Sequence, residues 1–228
     1  MREAVIAFQF RSDISEADLD RIRERLGQIY PESRTRRILR PAFLGLPGAA
    51  GGILPYHVSE DRRCTVQVHA AGFSFSLQSP PYPGWQEVAN EARKLWSTCR
   101  PALALREFRS IEVRFVNALE IPDGLSQLGH YLRTPPSLPG KIPGVLESFY
   151  NRWIVALKKP MCRATIVQTL RPMHISSSKR VLLDIAVEER PMEALDEPVL
   201  WSELDELGDQ AHEIFRGILT EDAYSSLP

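Results

Sequence analysis

Strand-like segments in this sequence follow one another in runs, with few helices between them. Residues 56–60, 62–70 and 73–78 form one run, and residues 146–158, 161–170 and 179–189 form another. A parallel doubly wound sheet alternates strands with helices, whereas strands in runs favour an α+β fold. We therefore expect an α+β protein built mainly on antiparallel sheet.

Helical periodicity is found in three segments. Ser15 is suited to cap a helix whose apolar residues fall three and four apart from Leu19 to Ile29, and Pro31 ends it. Residues 85–99 and 200–218 show the same spacing, and the last segment carries acidic residues on its other face. Residues 31–55, rich in arginine, proline and glycine, are predicted to be a loop.

These elements predict two halves that could still form one compact domain. Residues 1–133 have the order β-α-β-β-β-α-β, which can host a split β-α-β unit of the ferredoxin-like type. Residues 134–144 contain four prolines and two glycines and are the predicted linker. Residues 145–228 follow as β-β-β-α, either extending the first sheet or packing a second sheet against it.

Composition excludes several classes of protein. The chain of 228 residues has no apolar run of the roughly 18 residues that a membrane span needs, and its N-terminal segment resembles a strand more than a signal peptide. Three cysteines at wide spacing, without a CxxC motif, argue against a disulfide framework or a structural zinc site. We expect a cytoplasmic protein that binds no metal, cofactor or membrane.

Charge is distributed unevenly along the chain, although the net charge is only −1. Residues 121–180 contain 9 basic and 2 acidic side chains, and residues 181–228 contain 2 basic and 13 acidic ones. Two interpretations remain open: the acidic end folds beside the basic strands, or the basic segment faces a partner.

Three residues of the predicted strands are candidates for a ligand or partner site. Asp184 lies between Leu182 and Ala186 on one face of its strand, and it could act in acid–base chemistry or pair with a cross-strand cation such as Arg163. Arg114 and Asn117 lie on opposite faces of their strand, where Arg114 is expected to pair with an acid and Asn117 to satisfy buried backbone groups.

Arg36, Arg37 and Arg40 form a basic cluster that could contact phosphates or an acidic partner. No recognition-helix pattern and no aromatic stacking platform accompanies these arginines, so nucleic-acid binding is the less favoured interpretation.

Motifs for the common catalytic sites are missing from the sequence. It contains no GxSxG, and its glycine-rich GLPGAAGG lacks the Lys-Ser/Thr of a P-loop. Cys64 and His69 are five residues apart on one predicted strand and therefore point to opposite faces, which argues against a metal site.

Several segments, in order along most of the chain, are similar to a sporadically distributed family of bacterial and archaeal proteins of about this length. They are EAVIAFQF, TVQVHAAGFSFSLQ, YPGWQEVANEARKLW, IEVRFVNALEIP, YLRTPP, VLLDIAV and LDELGDQAHEIFRGILTEDA. The resemblance implies no particular reaction, ligand or catalytic residue. The patchy distribution of the family is typical of mobile loci, such as bacterial defence or toxin–antitoxin systems.

We therefore expect a non-enzymatic interaction protein, one component of such a system, whose protein partner is encoded by a neighbouring gene. One alternative is a small-ligand-binding protein or an enzyme of unrecognised type, with a cavity between the sheet and the C-terminal helix. A weak nucleic-acid binder is the other.

Overall fold

The computed structural model describes residues 1–37, 53–78, 82–103, 107–121, 127–138, 146–159, 161–171, 179–192 and 194–227. The strands are β1 (Glu3–Phe10), β2 (Glu32–Arg37), β3 (Ile53–Val58), β4 (Cys64–His69), β5 (Gly72–Gln78), β6 (Phe108–Ile121), β7 (Phe149–Ala156), β8 (Cys162–Arg171) and β9 (Lys179–Glu189). The helices are α1 (Glu16–Ile29), α2 (Trp85–Leu103), α3 (Leu128–Tyr131), α4 (Glu197–Ile218) and α5 (Glu221–Ser225).

All nine strands belong to one sheet, in the order β2-β3-β4-β5-β1-β6-β9-β8-β7. Every neighbouring pair is antiparallel. The expected α+β class with a large antiparallel sheet is confirmed.

The detailed order of strands differs from the expected one. β2 lies in the segment predicted to be a loop, so four strands, not three, separate α1 from α2. β5 and β6 both pair antiparallel with β1 and therefore run in the same direction, which makes β5-α2-β6 a split β-α-β unit. The complete ferredoxin-like topology expected for residues 1–133 is not confirmed.

The sheet consists of two similarly connected halves. In the first, β1 lies beside β5, the last strand of a meander, and α2 follows β5. In the second, β6 lies beside β9, again the last strand of a meander, and α4 follows β9. β1 and β6 pair antiparallel where the two halves meet. An approximate two-fold axis through the sheet therefore relates the strand order of one half to that of the other.

The sheet continues across the predicted linker. β6 and β9 are joined by eleven residue pairs, from Ile111↔Glu189 to Ile121↔Lys179. Residues 134–138 of the linker form neither helix nor strand, and residues 139–144 lie outside the described residues.

Helices α1, α2 and α4 pack on one face of the sheet, which we call the helix face. Ser15 caps α1 as expected, and Leu19, Ile22 and Leu26 of that helix are buried. In the centre of the core, the ring of Phe8 lies 5.0 Å from that of Trp96 in α2 and 6.2 Å from that of Trp201 in α4. The helix face therefore buries the apolar stripe of every helix whose periodicity the sequence shows.

Side chains of alternate residues point to the opposite, uncovered face, where no described helix packs. On β9, Val181, Leu183, Ile185 and Val187 are fully buried against the helices, whereas Leu182, Asp184, Ala186 and Glu188 are half-buried. This division between the two faces is the expected one. No helix among the described residues is long and apolar enough to pass through a membrane.

Candidate functional site

The outer strand β7 exposes large apolar side chains. Tyr150, Trp153, Ile154 and Val155 are 57%, 40%, 58% and 41% exposed, half of all the large apolar residues exposed in the described chain. Single exposed apolar residues are common on protein surfaces, but a contiguous group of them marks an interaction site. We call Phe149–Ala156, with the side of it that pairs with no described strand, the β7 edge.

The backbone of the β7 edge offers hydrogen-bonding groups that pair with no described strand. The N–H of Leu157 donates to the carbonyl of Cys162 at 3.0 Å, so Leu157 belongs to a hydrogen-bonded pair with β8. Because the backbone direction alternates along an antiparallel strand, Tyr150, Arg152, Ile154 and Ala156 direct their N–H and C=O groups away from β8. A further strand could pair with these groups.

Side chains of the β7 edge are apolar on both faces. The register with β8 and β9 places Phe149, Asn151, Trp153 and Val155 toward the helix face, and Tyr150, Arg152 and Ile154 toward the uncovered face. Natural edge strands are usually protected by charges, prolines or bulges. The β7 edge has one charged residue, Arg152, in eight, which is unusual for a strand that faces only solvent.

Two cations, one in the β7 edge and one in the turn beside it, have no acidic partner within the described ranges. Arg152 and Lys158 are exposed, and neither is paired with a carboxylate among the described residues. The local surface is therefore both apolar and basic, in agreement with the excess of basic residues in 121–180.

The neighbouring Lys159 is fully engaged by acids. Its Nζ lies 3.0 Å from Oε2 of Glu189 and 3.3 Å from Oε2 of Glu206, and it also contacts Glu203. Burial tends to lower the pKa of Lys159, but the charges and hydrogen bonds of Glu189 and Glu206 raise it above its ordinary value. These contacts hold the β7–β8 turn against α4, and the acidic end of the chain does fold beside basic strands here.

Asp184 lies on the uncovered face in a two-bond ion pair. Arg114 donates from Nε to Oδ1 of Asp184 at 2.7 Å and from Nη2 to Oδ2 at 2.5 Å. The expectation that Arg114 pairs with an acid is confirmed. Arg163 is not the partner of Asp184, because the sheet register places it opposite Glu188, whose Oε2 it contacts at 3.2 Å.

Glu112 is the unusual carboxylate of the uncovered face. It lies directly opposite Glu188 on β9 and opposite Ala7 on β1. Burial raises the pKa of Glu112, Arg114 lowers it, and the carboxylates of Glu188 and Asp184 raise it further. These acids form one network with Arg114 and Arg163 at the centre of the sheet.

Asn117 lies on the helix face, opposite in direction to Arg114, as expected. It is 4% exposed, and its Nδ2 has no hydrogen-bond partner in the part of the chain that the structure describes. Gln168 lies in the same row two strands away, with Leu183 of β9 between the two amides, and its Oε1 likewise accepts from no described residue. The structure therefore brings two buried amides into one row and separates both from Asp184.

Two residues of the predicted arginine cluster lie at the other end of the sheet. Arg36 and Arg37 are the last residues of β2, eight strands from β7. Arg40 lies outside the described residues. Arg36 and Arg37 therefore do not share a site with Arg114, Asn117 or Asp184, since β2 is five strand positions from β6 and six from β9.

Clefts lined by described residues include one of about 490 Å³ between α3 and α5 and two larger ones, and Asp184 lines none of these three. One of the larger two, of about 740 Å³, lies on the uncovered face, with Val116, Ala118 and Leu182 among its lining residues and Arg2 and Glu120 beside them. The other, of about 970 Å³, lies between α1, α2 and the β3–β4 turn and includes Tyr30, Cys64 and Glu91. Tyr30 donates to Oε1 of Glu91 at 3.0 Å.

All three cysteines are buried and unpaired. Cys64 faces the core and His69 the opposite side of β4, as their spacing predicts. Burial raises the pKa of Cys99 to about 12, which leaves this thiol protonated and unreactive. Within the described ranges, no group of three or more histidine, cysteine or acidic side chains is arranged to bind a metal ion.

Sequence reasoning identified residues 146–158 as a strand but missed the β7 edge as a site. Apolar residues on both faces are typical of a strand buried at the centre of a sheet. Only the order of strands shows that this strand is an outer one. The combination of an apolar strand with an adjoining basic excess was the available signal.

No protein-family model matches this chain, and no curated protein is significantly similar to it in sequence.

Proposed function

We propose that this protein is a non-enzymatic interaction protein that binds an extended segment of a protein partner at the β7 edge. The observation that carries the proposal is the exposure of Tyr150, Trp153, Ile154 and Val155 on an outer strand. Contiguous apolar area of this kind is the energetic basis of most protein association.

The charges beside the β7 edge favour a partner segment that is both apolar and acidic. Arg152 and Lys158 offer two cations that no described carboxylate pairs with, and opposite charges across an interface increase the rate and specificity of binding. The buried row of Asn117 and Gln168 and the paired Asp184 have no part in this proposal.

The packing of side chains between α4 and the sheet argues against the small-ligand alternative, which needs a cavity there. Leu204 and Leu207 of α4 and Leu183 and Ile185 of β9 are all fully buried there. The expected candidate acid, Asp184, points away from this core and is held by Arg114. These residues therefore contribute to stability more readily than to chemistry.

The resemblance to a sporadically distributed family supports a role in a mobile bacterial defence or toxin–antitoxin-type system. In that role the partner is encoded beside this gene, and both proteins act in the cytoplasm. A non-enzymatic component of such a system needs a specific docking surface, which the β7 edge supplies.

Co-purification of the full chain with each product of its neighbouring genes tests the proposal. The dissociation constant of any complex is then measured for Val155→Ser and for Val199→Ser as a matched control. The two valines have nearly equal exposure, 41% on β7 and 42% on α4. We expect weaker binding only for Val155→Ser, and equal binding by both variants would contradict the proposal.

A further inference from the structure

The two halves of the sheet differ at one position. Outward from the centre, the first half has β1, β5, β4, β3 and β2, and the second has β6, β9, β8 and β7. β7 therefore corresponds to β3, and β2 has no counterpart among the described residues of the second half. The fifth strand position of the second half is unfilled in the part of the chain that the structure describes.

β2 shows how this position is filled in the first half. It pairs antiparallel with β3 over six residue pairs, from Glu32↔Val58 to Arg37↔Ile53. The corresponding groups on β7 are the outward N–H and C=O groups of Tyr150, Arg152, Ile154 and Ala156. A strand in this place would form the hydrogen bonds of an antiparallel ladder, in a sheet whose other pairs are all antiparallel.

A second copy of this chain fits the position poorly. Two β7 strands paired around a two-fold axis must place residues of the same face opposite each other. Two such registers come close to overlapping the whole length of both strands. In one of them the two Arg152 side chains lie directly opposite each other, and in the other they are diagonal neighbours. Like charges at these positions destabilise a sheet, whereas a carboxylate opposite Arg152 would stabilise it.

Resting on the proposed function, we propose that the partner adds an antiparallel strand to β7, in the position that β2 occupies beside β3. The added strand carries apolar residues on both faces, against Trp153 and Val155 on the helix side and Tyr150 and Ile154 on the other. It places an acidic residue opposite or diagonal to Arg152. Backbone hydrogen bonds give the affinity of this mode, and the side chains give its specificity.

Two synthetic peptides of about ten residues, a length sufficient for a strand, provide the probe. In the first, glutamate alternates with valine, and two adjacent valines at the centre place apolar residues on both faces. The second has the same sequence with alternate amides N-methylated, which removes the donors on one edge. We expect saturable binding of the first peptide to the full chain, measured by fluorescence anisotropy, and at least about tenfold weaker binding of the second. Equal binding of the two peptides, or no saturable binding of the first, would overturn strand addition.

The variant Ile154→Pro tests the same backbone hydrogen bonds by altering the protein instead of the peptide. The N–H of Ile154 points away from β8, so proline removes a donor from the outer side of β7 without removing one from the hydrogen bonds between β7 and β8. Ile154→Val is the control that keeps the N–H. We expect Ile154→Pro to bind the peptide at least about tenfold more weakly than Ile154→Val.

A third measurement does not depend on whether the proline variant folds, because it follows amide hydrogen exchange in the unaltered chain. Addition of the first peptide should slow exchange at Tyr150, Arg152 and Ile154, and unchanged exchange at all three would overturn the inference. A dimer seen by sedimentation that Ile154→Pro dissociates would assign the edge to a second copy and overturn it too. One combination of results separates the two proposals. If Val155→Ser weakens a partner complex and Ile154→Pro does not, and if the N-methylated peptide binds as well as the first peptide, the proposed function stands and strand addition fails.

Discussion

Glu112 is a residue whose environment opposes its own charge. Its side chain faces Glu188 across the sheet, and burial raises its pKa above the ordinary value of 4.5. An acid with a raised pKa in the folded state binds protons there more readily than in the unfolded state. The free energy of unfolding therefore falls as the pH rises through the interval between the two pKa values.

Glu112→Gln should remove this dependence. Relative to the unaltered protein, we expect the variant to gain stability as the pH rises from below 4.5 toward neutral, as measured by urea unfolding across that range. Glu24→Gln, at an exposed position of α1, is the control and should show no such gain. A constant difference between Glu112→Gln and the unaltered protein at every pH would contradict the assigned environment.

Lys159 is the residue on which the attachment of the β7–β8 turn depends. Lys159→Met would leave the carboxylates of Glu189, Glu203 and Glu206 close together without a cation, and Glu189 is only 9% exposed. An unpaired buried polar group costs about 1–3 kcal/mol. We expect a loss of stability in that range, measured by urea unfolding, and faster amide exchange in β7.

Glu206→Gln is the matched control for this substitution, since the side chain of Glu206 is 57% exposed and its removal leaves Lys159 two acids. A loss as large as that of Lys159→Met would assign the effect to surface charge and not to the buried contact.

Among the elements, α4 has a long apolar face whose burial has a measurable energetic consequence. Leu207 is fully buried against the sheet. Leu207→Ala should lower the free energy of unfolding by about 2–5 kcal/mol, because it removes buried methyl groups and leaves a cavity. Val199→Ala, at an exposed position of the same helix, should change it by less than about 0.5 kcal/mol. Equal melting temperatures for the two variants would contradict the burial of α4.

Elements with an apolar stripe could be predicted from the sequence, and elements without one could not. α1, α2, α4, β6 and β9 bury a periodic set of residues, so their existence follows from spacing alone. β2, with the sequence ESRTRR, has no apolar face and is held by its backbone pairing with β3. Its strand character therefore depends on a neighbour that the sequence does not reveal.

The partners within the candidate site depend on strand register in the same way. Alternation places Asp184 and Arg114 each on a face of its strand, but it does not say which residues lie opposite. Asp184 pairs with Arg114 and not with Arg163 because β9 lies between β6 and β8, in a register that places Glu188 opposite Arg163. The exposure of β7 likewise follows from sheet order, a property of the whole chain.

At the scale of the whole molecule, charge argues against tight binding to nucleic acid. The net charge is −1, and Glu3, Glu112, Asp184 and Glu188 lie among the arginines of the uncovered face. We expect generic DNA or RNA to bind with a Kd of about 1 μM or weaker at physiological salt. Gel shifts at two salt concentrations, with Arg36→Glu/Arg37→Glu for comparison, measure this. Nanomolar binding that the double substitution abolishes would favour the nucleic-acid function instead.

The central place of β1 has a consequence for how the chain is made. This strand is synthesised first, yet its two partners lie far along the chain: Glu3 pairs with Gln78 on one side and Val116 on the other. At a synthesis rate of about 5–20 residues per second, β1 remains without its second neighbour for several seconds. During this time Phe8 and Phe10, both buried in the finished protein, lack their contacts with Phe108 of β6. We therefore expect the nascent chain to bind chaperones until residue 121 has left the ribosome, and refolding of the full chain to be slow because its central contacts span such long separations.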